Sequence, residues 1–129
     1  MIIPVTDNIV LRTINLSDTD FILKITNDPK RKENLTREQH ILFLEKCMEK
    51  GDYYFMIDWY NFPVSFPIGT VSIFNINKET KSAEWGRFIL VEEFKEYKVL
   101  VEKKINDIAL NILNLSKLLS AKTEEICHK

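Results

Sequence analysis

Ile68–Leu90, IGTVSIFNINKETKSAEWGRFIL, reads as two strands written around a polar turn. Strict alternation puts Ile68, Thr70, Ser72 and Phe74 on one face of the first strand, with Gly69, Val71 and Ile73 on the other. Asn75, Asn77, Lys78, Glu79, Thr80 and Lys81 carry turn chemistry and solvation, not core. On the second strand the same alternation groups Ala83, Trp85, Arg87 and Ile89, with Glu84, Gly86, Phe88 and Leu90 opposite. That strand is apolar enough to be covered on both faces, yet it holds a carboxylate and a guanidinium. An ionised group loses much of its hydration on burial unless it is paired or lines a cavity. The hairpin is therefore the place to look for a site.

Upstream, Asn8–Ile14 alternates as a first strand, and Ser17 and Asp18 offer N-caps to a short helix with Phe21, Ile22 and Ile25 on its apolar side. Asn27-Asp28-Pro29 ends it, because a proline pushes the residue before it out of helical geometry. A basic loop, Lys30–Leu35, leads to Thr36, with Gln39 three positions on, the pattern of a capping box. The spacing predicts a second helix with Ile41, Leu44, Cys47 and Met48 facing inward, His40 on the solvated side, and Gly51 as a left-handed cap. Tyr53–Trp59 is a strand rich in aromatic and branched residues. Val64-Ser65-Phe66, between Pro63 and Pro67, reads as a loop or an edge.

Downstream, Val101, Ile105, Ile108, Ile112 and Leu115 recur at helical spacing, so a long helix should lie on the sheet until Asn114-Leu115-Ser116. Leu118-Leu119 allows one further short strand. The order is strand, two helices, three strands, helix and a last strand. It predicts one domain over residues 1–129, of α/β (α+β) class, with a mixed sheet flanked by helices.

Composition narrows the function. A formal net charge of -1 supplies no field for nucleic acid or an anionic membrane, and no apolar run approaches the roughly 20 residues a bilayer crossing needs. MIIPVTDN has no basic segment followed by an apolar one, so a cytoplasmic protein is expected. Cys47 and Cys127 are far apart and outside CxxC spacing, which suits reduced thiols. Cys127-His128 is a metal-like pair without further ligands, and no metal is expected.

Four pieces in this order, LRTINLSDTDFILKITNDP, REQHILFLEK, IGTVSIFNI and SAEWGRFIL, resemble the GCN5-related N-acetyltransferase superfamily. The resemblance is nearest to the branch acting on protein N-termini, polyamines and amino sugars, and it covers roughly Ile9–Leu119. It implies acetyl transfer from acetyl-CoA to a primary amine. It also implies that the hairpin strands closing on WGRFIL part, so that the backbone of Phe88, Ile89 and Leu90 holds the pantetheine arm. The loop after that strand would hold the pyrophosphate. In the family this loop is glycine-rich, so that amides crowd at a helix N-terminus. Here Phe94-Lys95-Glu96-Tyr97-Lys98 occupies the place without a glycine, among Glu92, Glu93 and Glu96. Lys95 and Lys98 would be left as point charges for the phosphates. Against the family the chain is also short at its C-terminus, and the tyrosine that often protonates the leaving thiolate has no counterpart.

Within this resemblance Glu84 is the candidate general base, and an ordinary strand-edge ion pair is its structural alternative. Arg87 would bind an acceptor anion or else pair with a neighbouring acid. Trp85 would wall the acceptor or else belong to the core, and Asn75 would orient substrate or else cap the turn. Two functions follow. One is an acetyl-CoA-dependent N-acetyltransferase for an amino sugar, polyamine or protein N-terminus. The other is a non-catalytic binding or interaction module that has lost the cofactor. A homodimer covering an exposed sheet edge is expected under both.

Overall fold

A computed structural model of the protein describes residues 1–29 and 33–120. Six strands form one sheet in the order of the chain: β1 (Ile2–Pro4), β2 (Ile9–Thr13), β3 (Tyr53–Asn61), β4 (Val64–Asn77), β5 (Ser82–Leu90) and β6 (Lys117–Ser120). All neighbours are antiparallel except β5 and β6, which run parallel. Helices α1 (Thr19–Thr26) and α2 (Arg37–Lys50) separate β2 from β3, and α3 (Lys98–Asp107) carries the chain from β5 to β6. The mixed α/β class is as expected. The extra strand is β1, which the sequence left unassigned. No described helix is long and apolar enough to cross a membrane.

The two faces of the sheet bury different chemistry. On one, Val71, Ile73, Trp85, Phe88 and Leu90 join Val101, Ile105 and Ile108 in the main core. The other carries Thr70, Ser72 and Arg87 toward α2, where Phe43, Leu44 and Cys47 face inward. Helix α2 has the expected start: Thr36 Oγ1 accepts from Gln39 N–H and the Gln39 side chain accepts from Thr36 N–H. It ends on Gly51 at φ 78, in the left-handed region that glycine reaches without a Cβ clash.

Several expectations are corrected. Val64–Phe66 is not a loop but the locally one-sided start of the 14-residue β4: it pairs with β3 alone, β5 joining only from Gly69, so the expected edge stands, with Phe62-Pro63 serving as the turn. The inward row of α2 is His40, Phe43, Leu44 and Cys47, so Met48 is 81% exposed and His40 only 1%. Both rows have helical spacing, and only the angle at which α2 meets the sheet distinguishes them. Helix α3 is preceded by a 3-10 turn, Glu92–Tyr97, and runs into a π turn, Ile108–Ile112. There Leu113 N–H donates to Ile108 C=O, an i→i−5 bond. The wider turn rotates the stripe, burying Ala109 and leaving Ile112 48% exposed. The pair Cys127-His128 and part of Lys30–Leu35 lie outside the described residues.

Burial pushes the His40 imidazole below its ordinary value of 6.5, with the charge of Arg37 adding to the effect. Its Nε2 has no hydrogen-bond partner among the described residues. Below pH 6.5 the unfolded chain takes up a proton that the folded chain refuses, so stability should fall as pH drops through this window. His40→Leu should flatten that decline in denaturant melts at a series of pH values while leaving stability at pH 8 nearly unchanged. An equally steep decline in the variant would locate the acid sensitivity elsewhere.

Candidate functional site

The site residues are arranged by a β-bulge. Ser72 faces Gly86 and Thr70 faces Ile89, so Val71 alone is opposed by both Arg87 and Phe88. Arg87 adopts φ 50, a left-handed conformation usually taken by glycine in such bulges. One added residue reverses the alternation beyond it. Arg87 therefore joins Glu84 on the α2 face, and Phe88 and Leu90 join Trp85 in the core. A second bulge, between Ile57 and Asp58, similarly moves Ile68 from the Thr70 face into the core.

Arg87 is held on every side. Its guanidinium lies over the rings of Phe74 (4.0 Å) and Phe43 (4.6 Å) and donates to Ser72 Oγ at 3.1 Å. Asp52 Oδ2 is 3.9 Å away, and also 3.9 Å from Lys50 Nζ. Lys50 donates to Asn75 Oδ1 (3.4 Å), and Asn75 Nδ2 donates to Glu84 Oε2 (2.6 Å). A chain of polar groups thus runs Arg87, Asp52, Lys50, Asn75, Glu84. Asn75 orients the glutamate instead of merely capping the turn. Glu84 itself is half-buried and pairs across β5–β6 with Leu119.

Trp85, expected either to wall an acceptor or to belong to the core, is core: it is 7% exposed and packs at 6.0 Å from the Phe88 ring on the opposite face. The bulge is the reason: it separates Trp85 from Arg87. Asp52 went unnoticed in the sequence, since an acid next to a helix cap looks solvated. Its side chain is 2% exposed, and its Oδ2 makes no hydrogen bond among the described residues. Asp52, Cys47, Tyr54, Leu44 and Leu16 line a mostly apolar hollow of about 190 Å³ between α2 and the end of β2. Burial pushes the Cys47 thiol up, despite the opposing charge of Arg87, so Cys47 is a poor nucleophile. A larger hollow of about 490 Å³, lined by Lys50, Lys78 and Lys81, lies at the hairpin-turn end of the sheet.

The expected parting of strands lies elsewhere than anticipated. Apart from its irregularities, the hairpin stays paired as far as Gly69 opposite Leu90. The divergence is between β5 and β6, which pair only across Ser82–Trp85 among the described residues. From Gly86 to Leu90 the outer rim of β5 has no described strand beside it. Thr70 Oγ1 donates to Arg87 C=O at 3.1 Å and ties down the bulge. The side chains of Phe88 and Leu90 are core and the Ile89 peptide groups face β4, so the outward peptide groups of Phe88 and Leu90 are the ones available for a ligand.

The segment after β5 does not fit a pyrophosphate. Glu92–Tyr97 is a 3-10 turn in which Phe94 N–H donates to Val91 C=O, and Lys98 N–H to Lys95 C=O. Glu92, Glu93, Lys95 and Glu96 surround a hollow of about 480 Å³, and the Lys98 ammonium is 3.4 Å from Glu102. Phe94 stacks on Tyr97 and meets the edge of Phe66, and both Phe94 and Tyr97 pack against the core. The Phe94 and Lys98 amides are spent, acids outnumber cations around the hollow, and aromatic anchors fill the inner side. Neither Lys95 nor Lys98 can replace a ring of backbone donors.

No protein-family model and no curated protein sequence matches the chain. Solved structures do match its fold. The spermidine N-acetyltransferase of Vibrio cholerae, in complex with CoA and spermine, aligns with TM-score 0.76 at 20% identity over 88% of this chain and 70% of its own. A nucleotide-linked sugar acetyltransferase of the GCN5-related superfamily aligns with TM-score 0.68 at 24% identity, over 84% of this chain and 66% of its own. A probable acetyltransferase aligns with TM-score 0.72 at 15% identity, over 92% and 72%. The chain has the fold of the GCN5-related N-acetyltransferases.

Proposed function

We propose that this chain, with its acetyltransferase fold, moves a short acyl group from a thioester to a primary amine such as a polyamine or amino sugar. The observation that carries the reading is the rim of β5. From Gly86 to Leu90 β5 is paired with β4 on one side and has no described strand on the other, so the peptide groups of Phe88 and Leu90, which point away from β4, line an open rim a few residues after Glu84. A thioester lying along this rim would pair with it as an added strand does. Peptide N–H groups near Phe88 would face the oxygen that becomes negative in the tetrahedral intermediate. Glu84, steadied by Asn75, would take the proton that the attacking amine releases. The C–N bond forms, the C–S bond breaks, and the sulfur leaves as a thiol once it receives that proton. The apolar hollow beside Asp52 suits the chain of an alkylamine, with the buried carboxylate near its ammonium.

The test is a panel of polyamines, amino sugars and N-terminal peptides offered with either acetyl-CoA or S-acetylpantetheine, with free thiol and acylated amine both measured. Acylated product from at least one pair is expected, and none from any pair ends the reading. For the best pair, Glu84→Gln should lower kcat by about 100-fold with little change in KM. An unchanged kcat would remove Glu84 from the reaction. A second reading, a non-catalytic amine-binding module, is favoured by the acid-lined turn Glu92–Tyr97. It expects amine binding without thiol release. The exposed rim also favours a homodimer, which sedimentation velocity would detect.

A further inference from the structure

We propose that the thioester donor is a pantetheine thioester recognised without its nucleotide, a selection written into the turn after β5; this rests on the transfer reading above. Two neighbouring features point in opposite directions. The outer rim of β5 offers the neutral peptide groups of Phe88 and Leu90, which point away from β4 and suit the two amides of a pantetheine arm. That arm carries no charge and needs no cradle. The next six residues are hostile to a pyrophosphate. Three carboxylates and one ammonium line the hollow where it would lie. The Phe94 N–H is already bonded to Val91 C=O at 2.9 Å, and the Lys98 N–H is likewise taken by Lys95. Movement cannot free them cheaply. Phe94 and Tyr97 are stacked on each other and packed on the core, and Phe94 also meets Phe66, which in turn stacks on Trp59. Unwinding the turn would expose that whole aromatic run to water.

A donor bearing phosphates at this position would bring like charge against Glu92, Glu93 and Glu96, with the Phe94 and Lys98 amides already bonded elsewhere. A donor ending at the pantetheine hydroxyl avoids the encounter. The chemical step is the same for both: the amine nitrogen bonds to the acyl carbon, the carbon–sulfur bond breaks, and pantetheine leaves as its thiol with the proton from the amine.

The test compares kcat/KM for S-acetylpantetheine and acetyl-CoA with the best amine. Expected is a value for acetyl-CoA no more than threefold above that for S-acetylpantetheine. A larger preference for acetyl-CoA overturns the inference and leaves the transfer reading intact, whereas transfer from neither donor overturns both. The double variant Glu93→Gln, Glu96→Gln supplies a check that does not depend on absolute rates. It should raise kcat/KM for acetyl-CoA several-fold and leave that for S-acetylpantetheine unchanged. Equal effects on the two donors would contradict the role given to the carboxylates.

Discussion

Replacing Gly69 by alanine should cost about 3 kcal/mol of stability and should loosen the hairpin at the end that forms the candidate site. A Cβ built at Gly69 lies 2.2 Å from the carbonyl oxygen of Ile89 and 3.1 Å from the Cα of Leu90. Both are backbone atoms, so no side chain can swing aside to make room. The strand must shift, and Leu90, opposite Gly69, must shift with it. Ile68 and Leu90 on either side are core, so the movement would be felt in packing as well. Urea melts should show the loss. Amide exchange should rise at Ile89 and Leu90 more than at Ala83 and Trp85, which are also paired with β6. Near-normal stability would mean that β4 and β5 are further apart at this end than described.

Arg12→Ala should cost about 3 kcal/mol, for an electrostatic reason. The guanidinium grips Asp18 through two bonds, at 2.7 and 2.9 Å, and Asp58 through a third at 2.6 Å. Asp18 and Asp58 are each 7% exposed, and Asp58 Oδ1 makes no hydrogen bond among the described residues, its Oδ2 taking the bond from Arg12. Burial tends to raise the Asp18 carboxyl, but the Arg12 bonds, the Asn15 N–H and the Arg12 charge outweigh it, leaving the group below its ordinary value. Removing Arg12 strands two like charges in a half-dry site, and breaking a buried pair in this way is far costlier than the pair itself is worth. Arg12 keeps about a quarter of its side chain in solvent, which holds the loss to the lower part of the usual range. The sign with pH is fixed. A carboxyl depressed in the folded state contributes its stability above its ordinary value of 3.8, and that contribution is lost as pH falls through the lower folded value. The gap between wild type and Arg12→Ala should therefore be full at pH 7 and close progressively below pH 3.8. Arg12→Lys should recover only part of the loss, because an ammonium cannot reproduce the fork.

Much of the frame was legible because its signals are local. Thr36 with Gln39, Gly51, Asn27 before Asp28-Pro29, and Lys78 to Lys81 in the hairpin turn each act within a few residues, although β4 runs on through Asn75 and Asn77 before that turn. Each did in the structure what its chemistry required. The candidate site was less legible because it depends on two changes of parity. A strand pattern assumes that every second residue shares a face, and one bulge residue breaks the rule for everything after it. Arg87 therefore ended on the face of Glu84, and Trp85, expected beside Arg87, ended in the core. Nothing in SAEWGRFIL marks the bulge, since its left-handed residue is an arginine where glycine is the usual sign. What holds Arg87 there comes from distant segments: Phe43 and Cys47 from α2, Ser72 and Phe74 from β4. Asp52 was invisible for the same reason, its burial being decided by helix α2 and by Arg87 on β5. Only the glycine-free turn after Leu90 could be judged from sequence alone, and the structure added the aromatic anchors that hold it shut.

The outer rim of β5 is tested most directly by following backbone amide resonances while S-acetylpantetheine is added. Saturable shifts concentrated on the amides of Phe88 and Leu90, with those of Glu92 to Tyr97 little moved, are the expected result. If these two rim amides stay fixed up to the solubility limit of the donor, the rim is not where a thioester lies, and the proposed transfer loses its structural basis.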